Sequence, residues 1–320
     1  MNFRKIIDLI EGQDNFILIS HTQPDGDGLG SLAAFRYWLE RLGKKTTLIS
    51  TDGVPSAFLF LDIADFVSSE FPQSGQPALI IILDCGDLRR TGLADRLREI
   101  SAAGWPIINI DHHQKNDLRR LANHNLVDES ACSTSEILLA LLKEARVKID
   151  GKIATALLTG FYTDTGGFRH TNTTPEVMKM TAELLLCGGR LKTITDNLVN
   201  NRKVGAMKLW GRLLDKLVWR EDLKIAWTAA AGEDFLPTGG QAELDDRQLA
   251  GLVNIINSLV DSRAAILFSQ LPDNKIKVSL RTEHPAVDLT ELAGWFNGGG
   301  HRKASGFIIP GQLVYNKGRW

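Results

Sequence analysis

Three short apolar runs in the first half of the sequence are each followed at once by histidine or aspartate. FILIS leads into His21, Asp25 and Asp27, LIIIL leads into Asp84 and Asp87, and IINI leads into Asp111, His112 and His113. A further aspartate, Asp164, lies in the segment TDTGG after an apolar stretch. Carboxylate and imidazole groups without thiolate favour Mn²⁺ or Mg²⁺ over structural zinc. These residues therefore predict a divalent-cation site, with Mn²⁺ expected first because imidazole is present.

The set contains more carboxylates than one cation needs. Four ligand aspartates offset the charge of two divalent cations, which leaves such a site able to attract an anionic substrate. Two cations roughly 3.5 to 4 Å apart can clamp a phosphoryl group for in-line attack. A single aspartate after a strand is commonly a turn or cap residue, so the inference depends on the whole set. The chemistry that the set predicts is phosphoester hydrolysis.

The elements around these residues indicate how they could meet. Strands are predicted at 16–20, 46–50, 78–83 and 107–110, alternating with helical stretches, and further helices from Ser133 and Gly151. Alternation of this kind is typical of an α/β fold with a mostly parallel sheet flanked by helices. Runs such as LIIIL lack polar alternation, which suits strands covered on both faces. Because ligands bind outside the carboxyl ends of parallel strands, the clusters are expected at one edge.

The second half of the chain has a different pattern of predicted elements. A long helical stretch of mixed charge follows residue 190, and the remainder indicates a smaller α+β domain. Its predicted elements are a strand at 223–228, a helix at 246–260, strands at 264–270 and 275–281, a short helix from Asp288, a glycine loop and a last strand. We therefore predict domains at 1–190 and 222–320, joined by a helical linker at 191–221.

Two glycine-rich segments could approach phosphate. In HTQPDGDGLGS, serine and alanine stand at positions 31 and 33, where the dinucleotide fingerprint needs glycine, which excludes that cofactor class. Gly298, Gly299 and Gly300 could expose backbone N–H groups as an anion nest beside His301. The alternative is a helix-ending turn. Arg281, at the end of a predicted strand, is a second phosphate candidate, with a plain surface arginine as its alternative.

Composition limits the function further. Lys plus Arg (37) against Asp plus Glu (38) gives a net charge of −1 over 320 residues, which argues against binding long duplex nucleic acid. Three widely separated cysteines fit neither a disulfide framework nor a CxxC metal site, so a reducing cytoplasm is expected. Acidic residues interrupt the N-terminal apolar stretch, and no run approaches the 18 apolar residues of a membrane span. We expect neither a signal peptide nor a membrane segment.

Five motifs in this order resemble the DHH phosphoesterase superfamily with its DHH-associated C-terminal domain. They are HTQPDGDGLGS, LDCGD, the DHH tripeptide at Asp111 to His113, TDTGGF and GGGHRKASGF. The resemblance covers nearly the whole chain, and the chain's size is similar to the bacterial nanoRNase and phosphoadenosine-phosphate phosphatase branch. This chain differs from the family's usual residues at Gln23, Gly28 and Thr282. None of these three is a predicted ligand.

The resemblance implies a role for each candidate residue. It assigns His21 and Asp25 to one Mn²⁺, Asp27, His112 and Asp164 to the other, and Asp84 to both. It implies that Asp111 orients its neighbouring histidine and that His113 contacts the scissile phosphate. It assigns the grip on the other phosphate or nucleotide of the substrate to Arg281, Gly298, Gly299, Gly300 and His301.

The activity implied is a two-metal exoribonuclease that hydrolyses short oligoribonucleotides (nanoRNA) to 5′-mononucleotides, together with 3′-phosphoadenosine 5′-phosphate phosphatase activity. The alternative is a phosphodiesterase of cyclic or linear dinucleotides (c-di-AMP, pApA, pGpG). The GGGH loop is evidence against an inorganic pyrophosphatase. The complete set of predicted metal ligands is evidence against a non-catalytic nucleotide-binding module. The expected partner is short single-stranded RNA or a dinucleotide, and a homodimer is allowed.

Overall fold

The computed structural model describes residues 2–72, 78–114, 116–235, 246–249 and 251–315. The chain divides into two compact units, Met1–Asn201 and Arg202–Trp320. The first unit contains a six-stranded sheet of order β3-β2-β1-β4-β5-β6, in which all paired neighbours are parallel. Its strands are β1 (Asn15–Ile19), β2 (Lys45–Ile49), β3 (Val67–Ser68), β4 (Leu79–Leu83), β5 (Ile107–Asp111) and β6 (His124–Val127).

Helices cover both faces of this sheet. The helices of this unit are α1 (Phe3–Glu11), α2 (Gly26–Arg41), α3 (Ala94–Ala102), α4 (Thr134–Glu144), α5 (Gly151–Asp164), α6 (Pro175–Leu186) and α7 (Leu191–Leu198). Successive side chains of a strand point to opposite faces, so Leu18 joins the core that α2, α4 and α5 share, whereas Ile17 and Ile19 pack with Leu97 of α3. The predicted α/β fold with strands buried on both faces is confirmed, and the short edge strands β3 and β6 were too brief for the pattern to show.

Capping side chains fix where α2 and α4 begin. Asp25 accepts hydrogen bonds from the backbone N–H groups of the first turn of α2. At α4, Ser133 Oγ accepts from Glu136 N, and Glu136 Oε2 accepts from Cys132 N, one residue before the cap, so the pair forms half of a capping box. Both helices thereby start at the carboxyl edge of the sheet, with their N–H groups facing the loops that follow the strands.

The second unit contains a six-stranded mixed sheet of order β11-β12-β10-β9-β8-β7. The β8–β9 pair is parallel and the other pairs are antiparallel. Its elements are α8 (Val204–Asp215), β7 (Val218–Arg220), β8 (Ile225–Ala230), α9 (Leu252–Ile256), β9 (Ala264–Leu271), β10 (Lys275–Arg281), α10 (Leu289–Trp295), β11 (Gly299–His301) and β12 (Ala304–Pro310). This is the α+β class that the sequence predicts.

The predicted linker and two local predictions differ in detail from the structure. Helix α7 packs on α5 and α8 packs on β8, so the segment 191–221 is divided between the two units; the domain boundaries themselves stay predictions. A continuous helix over 246–260 is wrong, because Gly251 adopts a φ of +88° and α9 is only five residues long. The segment 236–245, before this helix, lies outside the described residues.

The predicted glycine loop is also wrong in form. Helix α10 ends with Asn297 in the left-handed region and Gly298 N donating to Ala293 O, the arrangement that closes many helices. Gly299–His301 then forms β11, paired with β12. A Cβ on Gly298 would lie 2.3 Å from Gly306 O, so glycine is needed there for close approach to β12. The helix-ending turn, the alternative to an anion nest, is what this segment forms at Gly298.

Within the described residues, no helix combines the length and the apolar character needed to cross a membrane.

Candidate metal centre

Histidine and aspartate side chains from several elements of the first unit meet at the carboxyl edge of its sheet. They follow β1, β4 and β5, begin α2 and end α5. The structure brings together His21, Asp25, Asp27, Asp84, Asp111, His112, His113 and Asp164. Because all strands of this sheet are parallel, their carboxyl ends share one edge, and the residues that follow them converge.

Asp84 lies at the centre of this cluster, with one carboxylate oxygen on each side. Its Oδ2 is 3.5 Å from His21 Nε2, and its Oδ1 is 3.6 Å from His112 Nε2. The residue has a φ of +56°, in the left-handed region that aspartate tolerates better than most residues. The residue is 2% exposed. A single carboxylate thus faces two groups of potential ligands.

Those two groups are compact. In each of them, one potential ligand atom from every residue lies within 4.8 Å of the others. The first group contains His21, Asp25 and Asp84, and the second contains Asp27, His112 and Asp164. In the second group His112 Nε2 is 3.2 Å from Asp164 Oδ2. A third group, of Asp84, His112 and His113, overlaps both.

The carboxylate of Asp27 is held by the start of α4. Thr134 N donates to its Oδ2 at 2.5 Å and Ser135 N donates to its Oδ1 at 2.9 Å. Thr134 Oγ1 also donates to Asp84 Oδ1 at 3.2 Å. The N-terminus of a helix offers unpaired N–H groups and a partial positive charge to an anion. The contact of Thr134 and Ser135 with Asp27 was not predicted from the sequence. The helix-start pattern of Ser133 with Glu136 three residues later is the feature that could have indicated it.

The orientation of His21 is set by the backbone next to it. Its Nδ1 lies 2.7 Å from Thr22 O, and a proton on Nδ1 makes this a hydrogen bond. Nε2, which lies 3.6 Å from Asp25 Oδ1, is then the nitrogen that faces the carboxylates. A hydrogen bond of this kind on the far nitrogen fixes the tautomer of a metal-binding histidine.

Asp111 contacts His113 rather than its immediate neighbour. Its Oδ1 accepts from His113 Nδ1 at 2.7 Å, while Asn116 Nδ2 donates to its Oδ2. Asn116 is itself fixed, because its Oδ1 accepts from Arg119 N and from Asn109 Nδ2, each at 3.2 Å. Sequence reasoning missed Asn116, since its role depends on a turn that brings it back to the end of β5.

The pKa shifts in the cluster show that burying several carboxylates close together is unfavourable. Burial raises the pKa of Asp27 well above its ordinary value, and the charge of Asp84 adds to the effect. Burial also raises the pKa of Asp164 to about 6, against the lowering effect of the hydrogen bond from His112. Burial alone would lower the pKa of His21, but its hydrogen bonds to neighbouring aspartates and their negative charges raise it to about 10. The cluster therefore favours added positive charge.

A divalent cation fits this donor set. The ligand atoms are carboxylate oxygens and imidazole nitrogens, which suit Mn²⁺ or Mg²⁺. The nearby thiol is no competitor, because burial raises the pKa of Cys85 far above its ordinary value and Cys85 Sγ donates to Asp87 O. Two neighbouring cations would require two compact groups of ligands with one carboxylate shared between them, and Asp84 is placed to be that carboxylate.

Asp87, the second aspartate after β4, has a different position. Its Oδ1 accepts from Arg89 N at 2.6 Å and caps the short 3₁₀ helix Leu88–Thr91. Within the described residues it belongs to none of the three ligand groups. The expectation that it would join the cluster is therefore wrong, because the turn after Asp84 directs it into a cap.

The remaining predicted residues belong to the second unit. Arg281 ends β10, and its Nε donates to Asn254 Oδ1 at 3.0 Å while Nη1 donates to Leu280 O at 2.8 Å. Arg281 and His301 both pair with Ala304 of β12, so their backbones lie at the same level two strands apart. The side chain of His301 lies outside the described part of the structure. Gly299 and Gly300 continue β11 beside it.

Comparisons with known proteins agree with this architecture. The pattern of the DHH family, N-terminal domain, matches residues 15–161, and that of the DHHA1 domain matches residues 230–317. The bifunctional oligoribonuclease and PAP phosphatase NrnA of Thermus thermophilus is 30% identical over 96% of this chain and 87% of its own length. The probable bifunctional oligoribonuclease and PAP phosphatase NrnA of Streptococcus mutans is 26% identical over 95% of this chain and 92% of its own length.

Among solved structures, an exopolyphosphatase-related protein from Bacteroides fragilis has the same fold. The TM-score is 0.83, with 24% sequence identity, and the match covers 98% of this chain and 92% of that one. Identity of 30% with the Thermus protein over nearly the whole length, together with both domain patterns, establishes the relationship. The chain belongs to the DHH phosphoesterase family and carries a DHHA1 domain after its DHH domain.

Proposed function

We propose that this chain is a two-cation hydrolase that cleaves short oligoribonucleotides to 5′-mononucleotides and also removes the 3′-phosphate of 3′-phosphoadenosine 5′-phosphate. The observation that carries the proposal is Asp84, whose two oxygens face two separate ligand groups. The relatives support the substrate class. The Thermus protein, which matches 96% of this chain, is named a bifunctional oligoribonuclease and PAP phosphatase.

The cations would be Mn²⁺ first, with Mg²⁺ as the alternative. His21 and Asp25 would hold one, Asp84 would hold both, and the other would be held by Asp27, His112 and Asp164. When bound, two such cations activate a water molecule and neutralise charge on the phosphoryl group. The protein's contribution is to fix its ligands in advance, as the α4 amides do for Asp27.

We assign the contact with the scissile phosphate to His113. Asp111 accepts the Nδ1 proton of this histidine and holds the ring in one orientation. Nε2 is then the nitrogen that would donate to a phosphate oxygen as negative charge develops there. The grip on the other phosphate or nucleotide would come from Arg281, Gly299, Gly300 and His301, while Gly298, also in the predicted set, closes helix α10.

The charge of the chain agrees with a short substrate. A net charge of −1 offers little general attraction to a long polyanion, whereas a dinucleotide needs only local contacts. The cytoplasmic location and the homodimer that the sequence allows stay predictions.

Hydrolysis of a matched substrate panel tests the proposal. With Mn²⁺ present, a 5′-phosphorylated diribonucleotide should turn over fastest and 3′-phosphoadenosine 5′-phosphate measurably, with little release from pyrophosphate; the blank is the Asp84→Asn variant. Fastest turnover of cyclic di-AMP would instead make the chain a second-messenger phosphodiesterase. No cation-dependent activity on any member of the panel would overturn the proposal.

The Asn116→Ala variant is expected to lower kcat for the diribonucleotide by roughly 10- to 100-fold, the range for losing a group that orients an active-site residue. Without the Asn116 amide, Asp111 loses the donor that holds its Oδ2 and is free to turn away from His113. Steady-state kinetics should show the loss in kcat rather than KM.

Asn125→Ala is the matched control for this variant. Asn125 accepts from the same Asn109 amide at 3.0 Å, but its own amide donates to Arg119 O and not to Asp111. Equal losses in the two variants would contradict a specific role for Asn116, because they would reflect general loosening of the loop.

A further inference from the structure

A buried hydroxyl lies beside the ligand group of His21, Asp25 and Asp84. Ser20, the residue after β1, is 0% exposed. None of the described residues offers its Oγ a hydrogen bond. A buried hydroxyl without a hydrogen-bond partner destabilises a fold, and such groups in folded proteins usually have a function or a bound partner that explains them.

The position of this hydroxyl depends on a glycine. A Cβ on Gly28 would lie 2.3 Å from Ser20 Oγ, 3.3 Å from His21 Nε2 and 3.4 Å from Asp84 Oδ2. Any larger residue at position 28 would therefore compete with the hydroxyl for the same space. Ser20 Oγ, His21 Nε2 and Asp84 Oδ2 thus border the same small space, which stays open because Gly28 has no side chain.

We propose that Ser20 is a positioning residue for the cation held by His21, Asp25 and Asp84, with its hydroxyl supplying a polar contact inside that cation's ligand environment. This inference rests on the proposed function, because it assumes a cation at this group. Gly28 contributes to the same role, since its lack of a side chain leaves room for the Ser20 hydroxyl. Groups that support metal ligands in this way typically change metal affinity by about 10- to 100-fold when removed.

Equilibrium Mn²⁺ binding to the metal-free protein tests the inference without using activity. The wild type should bind two Mn²⁺ per chain, and Ser20→Ala should weaken one of the two sites by about 10-fold or more while leaving the other unchanged. The matched control is Ser50→Ala. Ser50 follows the neighbouring strand β2 and is likewise 0% exposed, but its Oγ donates to Gly53 O. It should bind both cations as the wild type does.

The Gly28→Ala variant gives an independent prediction. Its new Cβ should displace the hydroxyl and weaken the same site, and the double variant Ser20→Ala with Gly28→Ala should lose no more than either single variant. With the hydroxyl removed, the atoms nearest that Cβ are His21 Nε2 and Asp84 Oδ2, at ordinary or slightly close distances. Additive losses would overturn the inference, because they would mean that residue 28 acts on the ligands directly.

The remaining outcomes separate the two proposals. If the wild type binds no Mn²⁺, the proposed function fails before Ser20 is considered. If the wild type binds two Mn²⁺ and Ser20→Ala binds both with unchanged affinity, the inference about Ser20 is overturned and the proposed function stands. Far-UV circular dichroism of each metal-free variant checks that the fold is retained.

Discussion

The Asp84→Asn variant is expected to lose hydrolysis by roughly 10³-fold or more, while its fold is retained. Asparagine keeps the size of the side chain and tolerates the φ of +56° at this position. It removes the negative charge, and it replaces one of the two oxygens that face the separate ligand groups. Initial rates on the diribonucleotide, with circular dichroism of the same sample, measure both parts of the expectation.

Asp87→Asn is the matched control for that variant. Asp87 follows the same strand three residues later and caps a 3₁₀ helix, a position where asparagine caps as well as aspartate. Its activity should equal that of the wild type. If Asp84→Asn retained more than about a tenth of wild-type activity, the assignment of Asp84 to both cations would be wrong, because loss of a single oxyanion donor already costs more than this.

The second large effect is on stability. Adding Mn²⁺ to the metal-free protein is expected to raise the free energy of unfolding by about 2.7 kcal/mol for each site at which free Mn²⁺ reaches one hundred times the Kd. The physical reason is that Asp27, Asp84 and Asp164 are buried close together, and burial raises the pKa of Asp27 and of Asp164. A cation bound among them replaces repulsion with attraction. Thermal unfolding with and without a chelator measures the change.

The same titration on variants shows where the cation acts. In Asp84→Asn most of the Mn²⁺-dependent rise should disappear, whereas Asp87→Asn should keep it. An equal rise in wild type and Asp84→Asn would mean that Mn²⁺ stabilises the protein from another place, and the candidate centre would not be the binding site.

Much of the fold was accessible from the sequence. Apolar runs without polar alternation, such as LIIIL, predict strands buried on both faces, and β4 is buried throughout. Their alternation with helices predicts a parallel sheet, and parallel order alone places the carboxyl ends of β1, β4 and β5 at one edge. The candidate ligands that follow those strands were therefore predictable, because their convergence depends on strand direction and not on detailed packing.

Other features depended on contacts between distant parts of the chain. Asp84 and Asp87 look equivalent in sequence, yet one faces two ligand groups and the other caps a turn. The hydrogen bonds from Thr134 N and Ser135 N to the Asp27 carboxylate join residues more than one hundred positions apart.

Most of the helices and strands, and the residues that share the carboxyl edge, could be predicted from the sequence. Hydrophobic period is a local property, and the alternation of strands with helices predicts parallel order. Tertiary structure decided how the ligands are grouped, that Asn116 supports Asp111, and that Gly28 leaves room for the Ser20 hydroxyl. It also decided that the glycines after α10 cap a helix and pair with β12 rather than form an open loop. These outcomes depend on packing and register between separate segments, which the local patterns of residues leave open.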